Sequence, residues 1–419
     1  MILLRLTAMS LWHRRSTALL TLITIGFSVM LFLGVEKVRT ETRSSFANTL
    51  SGTDLVVGAR SGQVQLLLYA IFRIGDATSN ITWESYELIS KHPHVAWTVP
   101  ISLGDSHRGY RVMGTSQAYF ERYQYGYRQP LRFEEGRQFE ELYDVVIGAE
   151  VAEKLNYEIG SSIVVAHGIG DTSFSKHDDK PFRVVGILKR TGTPVDRTLH
   201  LSLQALEAIH IDWQAGVPIP GKQVSAEEAA QMDLQPKQLT AFLVGVKSKV
   251  ATFGLQRVIN SYTREPMLAI LPGVALQQLW NIVGLAENAL LLVSALVVVV
   301  GLIGMLTVIL TSLNERRREL SILRSVGARA WQILLLLTLE SVLLTLGGVL
   351  LGIVLLYAGI LVAQPILESH LGVYVPLSPL TQYQWTLLSV VAGCGTIVGL
   401  IPGYRAYRYS VADGMSIRT

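Results

Sequence analysis

The sequence predicts an integral membrane protein: four transmembrane α-helices plus a large α+β extracytoplasmic domain between helices 1 and 2. Three observations predict it. Half of the 419 residues are hydrophobic and 16% are charged, at a mean hydropathy of +0.37. That is too apolar for an ordinary soluble chain and too polar for spans alone. The apolar residues gather near the N-terminus and in the last third, leaving one long polar stretch between. Arginines crowd the short flanks of the apolar runs.

A span needs about 20 apolar residues. Four segments supply them: Ser16 to Val35, and roughly Ile282 to Leu313, Ile333 to Val362 and Trp385 to Ile401. The first is longer than the roughly 7–15-residue core of a cleaved signal, and no small-x-small site precedes Glu36, so it reads as a retained span. The opening "MILLRLTAMSLWHRR" sets Leu3, Leu4, Leu6, Met9 and Trp12 among basic residues, as in an interfacial amphipathic helix. The expected organisation is therefore 1–36 (amphipathic helix and helix 1), 37–281 (outer domain) and 282–419 (helices 2 to 4 with a cytoplasmic tail).

Orientation follows from the basic residues in short flanks. Arg5, Arg14 and Arg15 precede the first span, Arg316, Arg317, Arg318, Arg324 and Arg329 separate the second and third, and Arg405, Arg408 and Arg418 follow the fourth; Ala363 to Gln384 holds no Lys or Arg. Both termini are expected in the cytoplasm, and the outer domain in the periplasm if the cell has one. Residues 1–16, 312–330 and 404–419 carry 11 basic against 3 acidic residues, a balance of +8, and the remainder carries −4. The basic excess is a topology signal and argues against nucleic-acid binding. The single cysteine, Cys394, lies in an apolar run and can form no internal disulfide.

The outer domain mixes short strands and helices. "DVVIGAEVAEKL" reads as strand, turn and helix; "SSIVVAHG", "FRVVGIL" and "AFLVGVKS" read as strands; "TLHLSLQALEAI" runs from strand into helix, and "FGLQRVINSY" is helical. Gly216 to Gln238 has the composition of a surface loop or flap. No catalytic constellation stands out. There is no Gly-x-x-x-x-Gly-Lys-Ser/Thr phosphate loop, no Gly-x-Ser-x-Gly elbow and no His-Glu-x-x-His. "VVGARSGQVQ" is not expected to run from strand into helix with dinucleotide spacing. His92, His94 and His107 are weak zinc candidates, better read as surface histidines about a turn at Pro93. "SKHDDK", Ser175 to Lys180, reads as a solvated loop. No cofactor is expected.

In the membrane part, Trp280 to Leu313 would form about 50 Å of helix against roughly 30 Å of hydrocarbon. It is expected to project outward and join the outer domain, unless it breaks near Gly284; Glu287 and Asn288 lie near its outer end. Gly348 with Gly352, and Gly395 with Gly399 and Gly403, have small-xxx-small spacing for close helix packing. Glu340 is the acidic residue well inside the third span. An ionisable group there is costly and should face protein or water. With no second deep acid or histidine to continue a relay, it is expected to be hydrogen-bonded to a neighbouring helix in a structural or gating role.

Between spans two and three stands "NERRRELSILRSVGARAWQI". Glu, Arg and Leu favour helix, and Gly327 can end it. Leu320, Leu323 and Val326 form an apolar stripe. Positive-inside anchoring needs only a few arginines and no stripe, so this segment has the form of a docking element for a cytoplasmic partner.

These residues resemble the cytoplasmic signature of the MacB/FtsX/LolC-type ABC permeases, E-R-R-x-E-I-x-x-L-R-A-x-G-A. "VIGAEVAEKLNYEIGSSIVV" and "FRVVGILKRTGTPVDRTLHLSLQAL" are similar to that family's MacB-like periplasmic core domain, and "LLTLESVLLTLGGVLLG" to its third span. "IPGYRAYRYSVADGM" is similar to its C-terminal pattern, with Val411 and Met415 near the places of the usual Pro and Leu. The resemblance implies an ABC transporter permease in the bacterial inner membrane, paired as a homo- or heterodimer over two copies of a separate ATPase subunit. Membrane lipids and a periplasmic accessory protein are further partners it implies. It also implies a coupling helix formed by Glu315, Arg316, Arg317, Arg318, Glu319, Leu320, Leu323, Arg324, Gly327 and Ala328. Through it, ATP hydrolysis would move the outer domain (mechanotransmission) to export or extract a lipid, lipoprotein, peptide or drug-like substrate. Readings of other classes are a regulator of a periplasmic enzyme driven by the same coupling, a proton-coupled carrier dependent on Glu340, and metal handling by the three histidines.

Overall fold

The computed structural model describes residues 2–167, 179–214, 217–218, 224–366 and 377–408. The chain divides into two compact units, Met1–Thr42 with Gly284–Thr419, and Arg43–Val283.

The first unit is helical. Its elements are α1 (Ile2–His13), α2 (Arg15–Thr49) up to Thr42, α3 (Pro272–Glu315) from Gly284, α4 (Arg317–Ser325), α5 (Ala330–Ile366) and α6 (Gln382–Arg408). Among the described residues α2, α3, α5 and α6 are long and apolar enough to cross a membrane. In lipid a helix satisfies all its own backbone groups, and the hydroxyls follow the same rule: Ser28 donates to the Thr24 carbonyl and Thr345 to that of Ser341. Ile25, Val29 and Leu33 of α2, Leu302, Met305 and Ile309 of α3, Leu344 and Leu356 of α5, and Leu388 and Val391 of α6 form one buried cluster.

Two helix lengths depart from expectation. The first span does not stop at Val35, since α2 continues to Thr49. The second starts earlier than Trp280, at Pro272: α3 runs through Gly284 without the alternative break, as expected, for 44 residues, about 66 Å of helix. Polar residues just past the apolar run are drawn into the unit. Glu36 and Lys37 are buried. Glu36 accepts a two-pronged bond from Arg39, at 3.0 and 2.9 Å. Lys37 Nζ donates to the carbonyl and hydroxyl of Ser378, at 3.1 and 2.8 Å. Tyr357 donates to the same carbonyl at 2.9 Å.

The second unit is built on an 11-stranded mixed sheet. Nine of its strands are β1 (Leu55–Ala59), β2 (Val95–His107), β3 (Tyr110–Thr115), β4 (Phe133–Gly136), β5 (Asp144–Ile147), β6 (Phe182–Leu188), β7 (Thr198–Ser202), β8 (Ala241–Val246) and β9 (Met267–Ile270). They lie in the order β9-β1-β8-β2-β3-β7-β5-β6-β4. Pairing is parallel for β3 with β7 and for β5 with β6, and antiparallel at the other junctions.

Side chains alternate across a strand, and both faces are buried. Val56, Met113, Val146 and Leu243 face one cluster with Leu66, Phe72, Tyr119 and Phe120. Val57, Phe242 and Val244 face the other way, toward Leu255 and Ile259. Val145, Ile147, Leu199 and Leu201 do the same beside Val151 and Ile209. Within the second unit, Phe46 near the end of α2, Leu50 just after it, and Ala275 and Leu276 in the first turns of α3 join the first cluster. Phe46 stacks 4.3 Å from Phe72 and 5.6 Å from Trp280.

Other readings need correction. "VVGARSGQVQ" does run from strand into helix, β1 followed by Gln63–Leu67, although its glycines, Gly58 and Gly62, lack the dinucleotide spacing. Lys180 is no solvated loop residue. It is fully buried, with Nζ 3.1 Å from the Asp212 carboxylate and 2.7 Å from Asp179. Ser175 to Asp178, most of the tip of the expected flap (Gly216 and Ile219 to Gln223) and the tail with Val411, Met415 and Arg418 lie outside the described residues. The rest of the flap includes a short helix, Ala226–Ala229, opened by a Ser225/Glu228 capping box.

Candidate functional site: the helix between the second and third spans

Helix α4 is short, and its residues divide cleanly between two faces. Arg316 stands alone between α3 and α4, with φ −94° and ψ 6°. The chain turns there while Leu320 N–H still donates to the Arg316 carbonyl. On the inner face Leu320 is buried with Leu313, Ile333, Leu336, Leu337 and Ala406, and Ser321 is buried with it.

On the outer face Glu319, Ile322, Leu323 and Val326 follow one another at i, i+3, i+4 and i+7, the spacing of a single helix stripe. The apolar three are 54%, 40% and 83% exposed. Arg318 and Glu315 are exposed as well, and Arg324 is half-buried. The apolar stripe expected at Leu320, Leu323 and Val326 is thus divided: Leu320 turns into the core and Ile322 joins the outward side. Nothing is described of the Arg317 side chain.

The helix ends in a Schellman motif. Ala328 N–H donates to the Leu323 carbonyl and Gly327 N–H to that of Arg324, with Gly327 at φ +106°, where a Cβ is disfavoured. Gly327 and Ala328 therefore shape the end of α4. Arg329 N–H then donates to Gln332 Oε1 at 2.8 Å and opens α5.

Arg316 points inward. Its Nη1 donates to Glu340 Oε2 of α5 at 3.0 Å, with the two side chains 7% and 5% exposed. Its Nε reaches Glu319 Oε2 at 3.4 Å. Glu340 thus has a partner, in a place no local pattern indicates, 24 residues back along the chain. The cue in the sequence is the pair itself, an arginine at a span's edge and a carboxylate inside the next span. Burying either charge alone would be costly.

The glycines lie at helix crossings. A Cβ on Gly352 would come within 2.7 Å of Val29 on α2, and one on Gly348 would meet Ile25. On α6, Gly395, Gly399 and Gly403 face Thr345, Ser341 and Thr338 of α5 in turn. Span four thus packs on a ladder of hydroxyls, each bonded within its own helix.

Among the described residues, the three candidate histidines are not gathered as metal ligands. His92 and His94 sit at the Pro93 turn with rings 5.4 Å apart. His107 is buried elsewhere on β2, with Nδ1 2.6 Å from the Val164 carbonyl and Nε2 2.9 Å from the Tyr157 hydroxyl, and burial lowers its pKa. Among the described residues no three His, Cys, Asp or Glu side chains come together as metal ligands. The outer domain does hold a groove of 720 Å³, with Trp83, Gln117, Phe139, Glu140, Glu141 and Asp233 in its lining. Its residues come from segments far apart in the sequence, so no contiguous motif announces it.

Residues 17–250 match the family model of the MacB-like periplasmic core domain, and residues 291–411 match that of the FtsX-like permease C-terminal region. An uncharacterised ABC transporter permease of Methanocaldococcus jannaschii is 26% identical over 62% of this chain and 62% of its own length. The macrolide export ATP-binding/permease protein MacB of Escherichia coli (strain K12) is 33% identical over 33% of this chain and 22% of its own. These matches thus span under two thirds of either relative. Among solved structures, the periplasmic region of MacB from Actinobacillus actinomycetemcomitans overlays 56% of this chain and 95% of that one, at TM-score 0.34 and 12% identity.

Proposed function

The chain belongs to the MacB/FtsX-type family of ABC transporter permeases, and from that premise we propose that it couples a separate cytoplasmic ATPase to motion of its outer domain. In this reading two ATPase copies sit beneath two permease subunits in the bacterial inner membrane. The termini and α4 are cytoplasmic, and the domain of residues 43–283 is periplasmic. ATP hydrolysis displaces α4, and the displacement serves export or extraction of a lipid, lipoprotein, peptide or drug-like substrate.

The observation that carries the proposal is the outward stripe on α4. Ile322, Leu323 and Val326 stand exposed on a short helix held between two spans, ringed by Glu315, Arg318 and Glu319. An apolar anchor with a charged rim is the usual composition of a protein–protein contact. The unbroken α3 supports a mechanical route, because its first turns belong to the core of the outer domain and its last residue adjoins Arg316. A proton-coupled carrier would use Glu340 as its relay; instead the Glu340 carboxyl is bound by the Arg316 guanidinium at 3.0 Å, which supports a structural role.

Co-expression with the ABC ATPase encoded beside it tests the proposal. The expected outcome is a detergent-stable complex that turns over ATP and is lost on Leu323→Asp, which buries an unpaired charge in the contact. A complex that survives Leu323→Asp places the docking surface off α4. A chain that captures no ATPase overturns the proposal. Glu315→Ala with Arg324→Ala is expected to leave the bundle folded and to reduce ATPase-dependent activity.

A further inference from the structure

We infer that Arg316 is a positioning residue: its ion pair with Glu340 ties the base of α4 to span α5, so that displacement of α4 is delivered to the span and not absorbed at the turn between α3 and α4. This inference rests on the coupling role proposed for α4.

Arg316 is the only residue between the two helices, and its φ and ψ leave helical values there. A single residue of this kind is a ready hinge, since small changes in two dihedrals swing everything beyond it. If α4 were held only by that turn and by Leu320, a push on its outer face could be spent in swinging α4 against the apolar seat. Apolar contacts are non-directional and set rotation weakly.

The Arg316 side chain removes that freedom. Its guanidinium has one prong on Glu340, a buried carboxylate of α5 at 3.0 Å. Its Nε reaches Glu319 at 3.4 Å, and Glu319 belongs to the stripe that faces outward. A continuous line of charge-assisted bonds therefore runs from the docking face through Arg316 to the interior of the third span. The planar fork of Arg fixes direction as well as distance.

Stability alone does not account for the pair. Replacing a buried ion pair by apolar residues of similar size is often neutral or favourable, while its retention can specify one arrangement. Nor does positive-inside anchoring account for it, because Arg318 meets that need from the exposed surface.

The test uses the full chain in its ATPase complex, reconstituted in lipid nanodiscs. Three quantities are read: thermal midpoint, ATPase affinity, and the change in hydrogen exchange over residues 43–283 when a non-hydrolysable ATP analogue is added. Arg316→Leu with Glu340→Leu removes both charges together. It is expected to keep the midpoint within a few degrees and ATPase affinity within twofold, and to lose more than half of the nucleotide-dependent exchange change. Arg316→Lys keeps the charge without the fork and guards against a double variant that fails to fold; it is expected to bind ATPase normally and lose a smaller part of the response. A full wild-type response in a folded variant overturns the inference and leaves the coupling role standing. A wild-type chain that captures no ATPase overturns both.

Discussion

At the scale of residues, two arginines of one basic run and one histidine show how burial sets a side chain's role. Arg316 and Arg318 are two positions apart in one basic run, yet the first is sealed against Glu340 and the second is exposed. Arg316 sits in the turn before α4 and Arg318 in the first turn of α4, so the run could be recognised from sequence while the inward member could not. His200 on β7 is fully buried, with Nδ1 3.2 Å from the Val146 carbonyl and Nε2 without a partner among the described residues. Burial, with the Arg73 guanidinium nearby, pushes its pKa down to about 3. Its folded pKa lies below the unfolded value, so its contribution is full above about pH 6.5 and falls as acid protonates the unfolded chain first. The loss is about 1.4 kcal/mol per pH unit. Thermal or denaturant unfolding of the full chain at pH 7.5 and pH 5 should show a decline that His200→Phe reduces by about 2 kcal/mol. An equal decline in both proteins would remove His200 as the cause.

At the scale of elements, the glycines of α6 and the end of α4 carry separate predictions. Gly399 faces Ser341 across the crossing with α5, whereas nothing lies within 4 Å of a Cβ on Gly393. Gly399→Ala is expected to cost about 1–3 kcal/mol through overpacking and to lower the thermal midpoint in detergent. Gly393→Ala should be neutral or slightly favourable; equal effects would mean that the α5–α6 crossing is not close-packed through Gly399. Gly327→Ala forces a Cβ into the left-handed region at the Schellman turn, at a cost of about 1 kcal/mol. It is expected to weaken ATPase capture less than Leu323→Asp does, because it frays the end of α4 without placing a charge in the contact. The small-xxx-small spacing was legible in the sequence. Which helix each glycine meets was not, because that depends on the rotation of two helices about each other.

At the scale of the whole molecule, the basic flanks fix an orientation that reporter insertions can check. Alkaline phosphatase inserted at Gly192 should be active, and at Gly327 inactive; the reverse pattern would invert the proposed topology. The sequence by itself determined the four spans, the α+β domain between the first two and the helical docking segment between spans two and three. Each depends on local composition, apolar length and helix period, which survive in any tertiary context. Only the tertiary structure decided the strand order of a sheet buried on both faces, the continuation of α2 past its apolar run, the burial of Lys37 and Lys180, and the joining of Arg316 to Glu340. All of these require residues far apart in the chain to meet. A charged side chain is drawn inside only when a distant partner is positioned to receive it, and no local pattern records where that partner will be.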